Sequence, residues 1–157
     1  MRCDLRVHVR AKLHAGDGVD VRFLVFNFLS PHVGEVAEGF GTTKASLMAE
    51  CVSTMEGLVE IHTKAEGERL NGRFEVRLTD SEPRTRFCLF DRRSEKGFTY
   101  FVPHVGRNNS PNLPGFLARN VEAGIAQDYI RSVEVLWGES TPLNDWIPDY
   151  EQFKSDV

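Results

Sequence analysis

Arg73-Phe-Glu-Val-Arg-Leu-Thr-Asp-Ser-Glu-Pro-Arg-Thr-Arg-Phe-Cys-Leu-Phe-Asp91 is the stretch on which the reading of this chain turns. Phe74, Val76 and Leu78 alternate with Glu75 and Arg77, the period of a half-buried strand. Pro83 marks a short turn, and Phe87 to Phe90 form a continuous apolar run suited to a second strand. A strand carrying Arg77, the turn, and a strand ending at Asp91 bring Arg84 and Arg86 to one edge region. Two guanidiniums on one face can hold a phosphate or carboxylate by bidentate contacts. The plainer alternative is a strand whose solvent side is basic.

Working outward, Phe98 to Val102 is another strand-like apolar run. The segment Pro103 to Gly115 carries three prolines, two glycines and three asparagines, which predicts an ordered surface loop. His104, Arg107, Asn108, Asn109 and Ser110 lie in it and could ring a polar pocket, or could simply shape the loop by hydrogen bonding. Beyond it, Asn120 is placed to cap a helix in which Val121, Ile125, Tyr129, Val133 and Leu136 share a face, with Gly138 ending it. Residues 139–157 read as an acidic tail laid on the body through Trp146, Tyr150 and Phe153.

Upstream, Leu5, Val7, Val9, Ala11 and Leu13 alternate with Arg6, His8, Arg10 and Lys12, a strand pattern that also fits a short helix. His14 to Gly18 suits a turn, so Val19 to Leu29 is expected to close a hairpin with it. Ser30-Pro31 ends that strand, and Gly34 to Gly41 reads as a loop before Thr42 and Thr43, either of which can cap a helix. Leu47, Cys51, Met55, Leu58 and His62 then follow helical spacing, opposite Glu50, Glu56 and Glu60. The expectation is one α/β domain over 1–157, with a mixed, largely consecutive sheet and two main helices.

The 157 residues are 41% apolar, and 19 Lys and Arg stand against 23 Asp and Glu, a net charge of −4. That balance argues against nucleic acid and anionic lipid as partners, a local basic patch aside. No apolar stretch approaches the roughly 20 residues of a membrane span. The charged residues among Met1 to Arg6 offer no secretory signal, so a cytoplasmic address is expected. Cys3, Cys51 and Cys88 form an odd, scattered set suited neither to a disulfide framework nor to zinc. Cys51 and Cys88 are expected to be buried, which argues against a thiolate nucleophile. The histidines form no ligand spacing, so neither metal nor cofactor is expected, and His62 reads as a structural residue near the end of its helix. Gly39-Phe-Gly-Thr-Thr-Lys44 places glycines before a helix but lacks the spacing of a phosphate loop. No serine has a hydrolase elbow.

With these residues in view, the chain resembles the phospholipase D superfamily. Where that family carries H-x-K-x4-D after a strand, this chain reads Arg84-x-Arg86-x4-Asp91. Gly18-Val-Asp-Val-Arg-Phe-Leu-Val-Phe-Asn27 is similar to the family's earlier strand. The closer likeness is to catalytically degenerate versions in bacterial regulatory proteins, through Val76-Arg77-Leu78, Pro83, Asp91, Ser110-Pro111 and Tyr129-Ile-Arg-Ser-Val-Glu-Val-Leu-Trp137. The likeness covers about Gly18 to Trp137, and its motifs are mostly hydrophobic.

The resemblance implies a phospholipase D-like α/β sandwich half. It also implies a homodimer, because the active family builds one site from two copies. The departures set the expected function. A guanidinium at position 84 stays protonated and has no lone pair to attack phosphorus, so it binds where the family's histidine reacts. Arg86 keeps the charge of the family's lysine. The expected function is a non-catalytic regulatory or ligand-sensing domain for a phosphate-bearing small molecule or a partner protein. In that reading Arg77, Arg84 and Arg86 bind, Asp91 orients a guanidinium, and the loop with His104, Arg107, Asn108 and Asn109 closes over the ligand. The alternatives are a phosphodiesterase or nuclease that uses His104, and a protein interaction module.

Overall fold

The computed structural model describes residues 21–67, 73–81, 85–90, 97–103, 115–119 and 124–155. β1, Val21–Phe26, stops short of the expected Leu29 because residues 27–32 turn the chain. The segment expected as a loop is mostly a helix, α1, Val33–Gly39, with Val33, Val36 and Ala37 buried at i, i+3 and i+4. Its end explains one of the glycines. Thr42 N donates to Ala37 O (3.0 Å) and Gly41 N to Glu38 O (2.9 Å), the double closure that needs a left-handed residue, and Gly41 sits at φ 67°.

Thr43 caps the following helix, α2, Lys44–Gly67: its Oγ1 accepts from Ser46 N (3.1 Å). Leu47, Met55 and Leu58 of the predicted face are buried, while Cys51 is only half-buried. β2, Phe74–Thr79, buries Phe74, Val76 and Leu78 in alternation, as the opening stretch predicts. β3, Thr85–Phe90, β4, Phe98–Pro103, and β5, Phe116–Arg119, follow. α3 runs Ile125–Glu139 from an extended Gly124, passes Gly138 by one residue and is capped by an extended Ser140. The expected cap, Asn120, lies outside the described residues, as does the proposed strand Leu5 to Leu13.

The remaining C-terminal residues, read as a tail packed on the body, are largely helical. After the two-residue β6, Thr141–Pro142, they form α4, Leu143–Ser155, whose Trp146 and Tyr150 are buried in the core. Phe28 is the centre of that packing, with ring centroids 5.5 Å from Trp146, 6.0 Å from Tyr150 and 5.9 Å from Phe153. Edge-to-face geometry in all three pairs adds to the area term.

The architecture is mixed α/β, and the described residues form four helices and two small sheets where one largely consecutive sheet and two main helices were expected. The first sheet has the order β1-β2-β6. β1 and β2 are parallel, with Val21 opposite Phe74 and Phe26 opposite Thr79, so α1 and α2 form the crossover that parallel neighbours require. The second sheet is the antiparallel meander β3-β4-β5. The core lies between the first sheet's Phe74, Val76 and Leu78 and residues of α1, α2 and α4. Full burial of side chains of this size contributes about 1.5–3 kcal/mol each.

α3 touches both sheets. At its C-terminal end, Trp137 has the Arg22 guanidinium 5.2 Å and the Arg77 guanidinium 5.3 Å from its ring centroid. Further back, Tyr129 stacks on Phe101 of β4 with centroids 4.4 Å apart.

Candidate functional site

In open α/β sheets, ligands gather where parallel strands end. Here that edge is built by residues 27 and 80, which follow β1 and β2. Asn27 N donates to Thr79 O (2.8 Å), and Asn27 Nδ2 donates to Asp80 Oδ1 (2.9 Å), so the two strand ends are tied by backbone and side chain together. Asn27 Oδ1 accepts twice, from Leu29 N (3.1 Å) and from the buried Trp146 Nε1 (2.9 Å). The first bond makes the tight turn that an asparagine favours. The second anchors α4 to the strand end and satisfies an indole that water cannot reach.

Ser30 is buried beside this turn, and its Oγ accepts from His32 N (3.3 Å). His32 Nδ1 lies 3.5 Å from Glu35 Oε2 at the exposed start of α1. Asp80 is exposed, leaving a carboxylate at the edge in water. The edge is thus polar and rigid, and its asparagine amide is already committed to structure.

Arg77 is half-buried on the other side of β2 from the core. Its Nη1 donates to Trp137 O (2.9 Å) and Ser140 O (3.3 Å), carbonyls at the end of α3. A cation there satisfies orphan acceptors and complements the negative end of the helix dipole. Beside it, Arg22 Nε donates to Glu75 Oε2 (3.0 Å), and Arg73 reaches Glu75 Oε1 at 3.1 Å. Of the other expected site residues, Arg86 stands in β3 opposite Val102. Arg84, Asp91, His104, Arg107, Asn108 and Asn109 lie outside the described residues.

The thiols differ from expectation in placement. Cys88 is exposed because it stands on the outer face of the second sheet, beside Tyr100. Neighbouring atoms still withdraw enough water to push its pKa above the ordinary thiol value. Burial, with Glu50 adding, also raises the Cys51 thiol. Neither cysteine is therefore poised as a thiolate.

His62 packs near Phe74, with ring centroids 6.5 Å apart. Its Nε2 donates to Asn144 Oδ1 (2.8 Å), and Asn144 Nδ2 donates to Glu66 Oε1 (3.0 Å), so this histidine ties α2 to α4 as a structural residue. That leaves its Nδ1 buried without a hydrogen-bond partner. Among the described residues, no group of three or more His, Cys, Asp or Glu side chains is placed to hold a metal ion, and no helix is long and apolar enough to cross a membrane.

Sequence reasoning missed Asn27, Asp80 and the pairing of Arg22 with Arg77 across Trp137. The only signal for the first two was a polar residue immediately after each apolar strand. No protein-family model matches this chain, and neither a curated protein nor a solved structure matches it.

Proposed function

We propose that this chain is a non-catalytic regulatory or ligand-sensing domain that binds a phosphate-bearing small molecule through Arg84 and Arg86, on a degenerate phospholipase D-like half working as a homodimer. The observation that carries the reading is where the chain leaves β2. Asp80 is fixed beside Asn27 at the carboxyl edge of the parallel pair. Arg84 follows four residues later in the sequence. Arg86 comes two residues further on, in β3. In this reading the pair of permanent cations serves the edge where α/β sheets receive ligands, and guanidiniums match phosphate oxygens two at a time.

Titration calorimetry with adenosine monophosphate, and with inorganic phosphate as a second ligand, tests this. Hydrogen bonds to charged groups contribute about 1.5–3 kcal/mol, so Arg84→Ala and Arg86→Ala should each weaken binding by about 10- to 150-fold. The double variant should show no heat while keeping the wild-type circular dichroism. Absence of binding to both ligands, or equal affinity in the folded double variant, overturns the proposal.

A further inference from the structure

The second sheet presents a row of side chains that are not among the residues of the proposed phosphate site. Tyr100 of β4 stands between Cys88 of β3 and Leu117 of β5, and the next row pairs Phe98 with Arg119. Phe101, one residue on, points the other way, to Tyr129. The outward row is open: Tyr100 is 40% and Leu117 68% exposed, and Cys88 and Arg119 are exposed too.

Tyr100 is laid across the neighbouring strand. A Cβ on Gly115 would sit 2.3 Å from the phenol oxygen and 2.5 Å from a ring carbon, so the ring occupies the space that any other residue at 115 would fill. An aromatic surface on an exposed antiparallel sheet is a platform on which a base can stack.

Charge selects the occupant. Residues 84–119, which make this sheet and its connections, carry seven Lys and Arg (84, 86, 92, 93, 96, 107 and 119) against two Asp and Glu (91 and 95), a balance of 7 − 2 = +5. The whole chain is at −4, so the rest carries −4 − 5 = −9. The net acidity that argues against nucleic acid therefore belongs to the rest of the chain, and the aromatic face belongs to its cationic part. A segment of net positive charge that carries an exposed aromatic ring fits a polyanion whose bases are unstacked, whereas a duplex keeps its base faces to itself.

We infer that the outer face of the β3-β4-β5 sheet binds single-stranded nucleic acid, stacking bases on Tyr100 and setting Arg119 against phosphate. This goes beyond the small-molecule site: the stacking ring and the phosphate contact, Tyr100 and Arg119, are not among that site's residues.

Fluorescence anisotropy of the full chain with a labelled oligothymidine of about 15 nucleotides tests it. Binding should be seen at about 50 mM salt and fall steeply by about 200 mM. Tyr100→Ala should weaken it about tenfold or more, and Tyr100→Phe should restore it, since the ring and not the hydroxyl stacks. Arg119→Gln should lower the slope of log K against log salt by about 0.7, the loss of one phosphate contact. Leu117→Glu should weaken binding by placing a carboxylate on the face, and it serves as the test if Tyr100→Ala does not fold. The inference is overturned by an absence of binding at low salt, by affinity unchanged in folded Tyr100→Ala and Leu117→Glu, or by equal affinity for a duplex of the same length. Self-association that Leu117→Glu abolishes, without nucleic-acid binding, would overturn it in favour of a second copy of the chain on this face.

Discussion

Asn27→Ala should cost much more than the loss of a surface amide. The side chain makes three hydrogen bonds: it donates to Asp80 and accepts from Leu29 N and Trp146 Nε1. Asp80 is exposed and Leu29 is partly so, and water replaces most of what those two lose. Trp146 is 2% exposed, so its indole N–H is left buried and unpaired. An abandoned buried donor costs about 1–3 kcal/mol, and with a smaller contribution from the turn the total is about 2–3 kcal/mol. At a urea dependence of about 2 kcal/mol per M, the unfolding midpoint falls by about 1–1.5 M. Trp146→Phe removes the donor itself. In that background the same Asn27→Ala change should cost about 1–2 kcal/mol less, because no indole remains to be stranded. Urea unfolding of the four proteins, followed by far-ultraviolet circular dichroism, closes the cycle. If the two changes add within about 0.5 kcal/mol, the indole is not what Asn27 holds, and the account of the strand end fails.

Tyr150 has a buried hydroxyl without a hydrogen-bond partner, so Tyr150→Phe should leave stability at neutral pH equal or up to about 1 kcal/mol higher by thermal unfolding. Burial first, then the charge of Glu56, raise the Tyr150 pKa. The unfolded chain therefore loses this proton first, and stability present below about pH 10 should fall as pH rises through that value, a slope that Tyr150→Phe reduces. Cys88 should react with a thiol reagent such as dithionitrobenzoate only at higher pH than a free cysteine, because desolvation by neighbouring atoms raises its pKa, and Cys88→Ser should remove that kinetic phase. Gly115→Ala should destabilise by about 1 kcal/mol in urea unfolding, by forcing the Tyr100 ring off β5, and the cost should vanish in a Tyr100→Ala background.

The legible parts of the fold are those written in local spacing. The long helix announced itself because Leu47, Met55 and Leu58 repeat on one face and Thr43 offers a cap. Alternation at Phe74, Val76 and Leu78 settled β2 in the same way. α1 was missed because seven residues bounded by glycines look like a loop until Val33, Val36 and Ala37 are seen to need one face. α4 was missed because Pro148 stands inside it, although Trp146, Tyr150 and Phe153 already had the i, i+4, i+7 spacing of a buried stripe. Strand partnership is a different kind of information. Arg22 meets Glu75 across 53 residues, and Trp146 finds Asn27 across 119. No window of neighbouring residues contains either pair. The charge of residues 84–119, by contrast, is a local count that a whole-chain sum averages away.

The position of Arg77 bears on which arginines can serve a ligand. From the sequence it belongs with Arg84 and Arg86 as an anion contact. In the fold, its Nη1 is taken by two carbonyls at the end of α3, while its guanidinium lies 5.3 Å from the Trp137 ring centroid. An incoming phosphate would have to compete with acceptors already in place, at the helix end where a cation is stabilised by about 0.3–1 kcal/mol beyond its hydrogen bonds. The same helix reaches the second sheet through Tyr129 and Phe101, so Arg77 holds the brace that joins the two sheets. Arg77→Ala should therefore lower stability before it alters any affinity. Arg77→Lys, which keeps the charge but loses the planar fork, should recover only part of that stability. A variant that binds phosphate more weakly at full stability would instead place Arg77 among the ligand contacts.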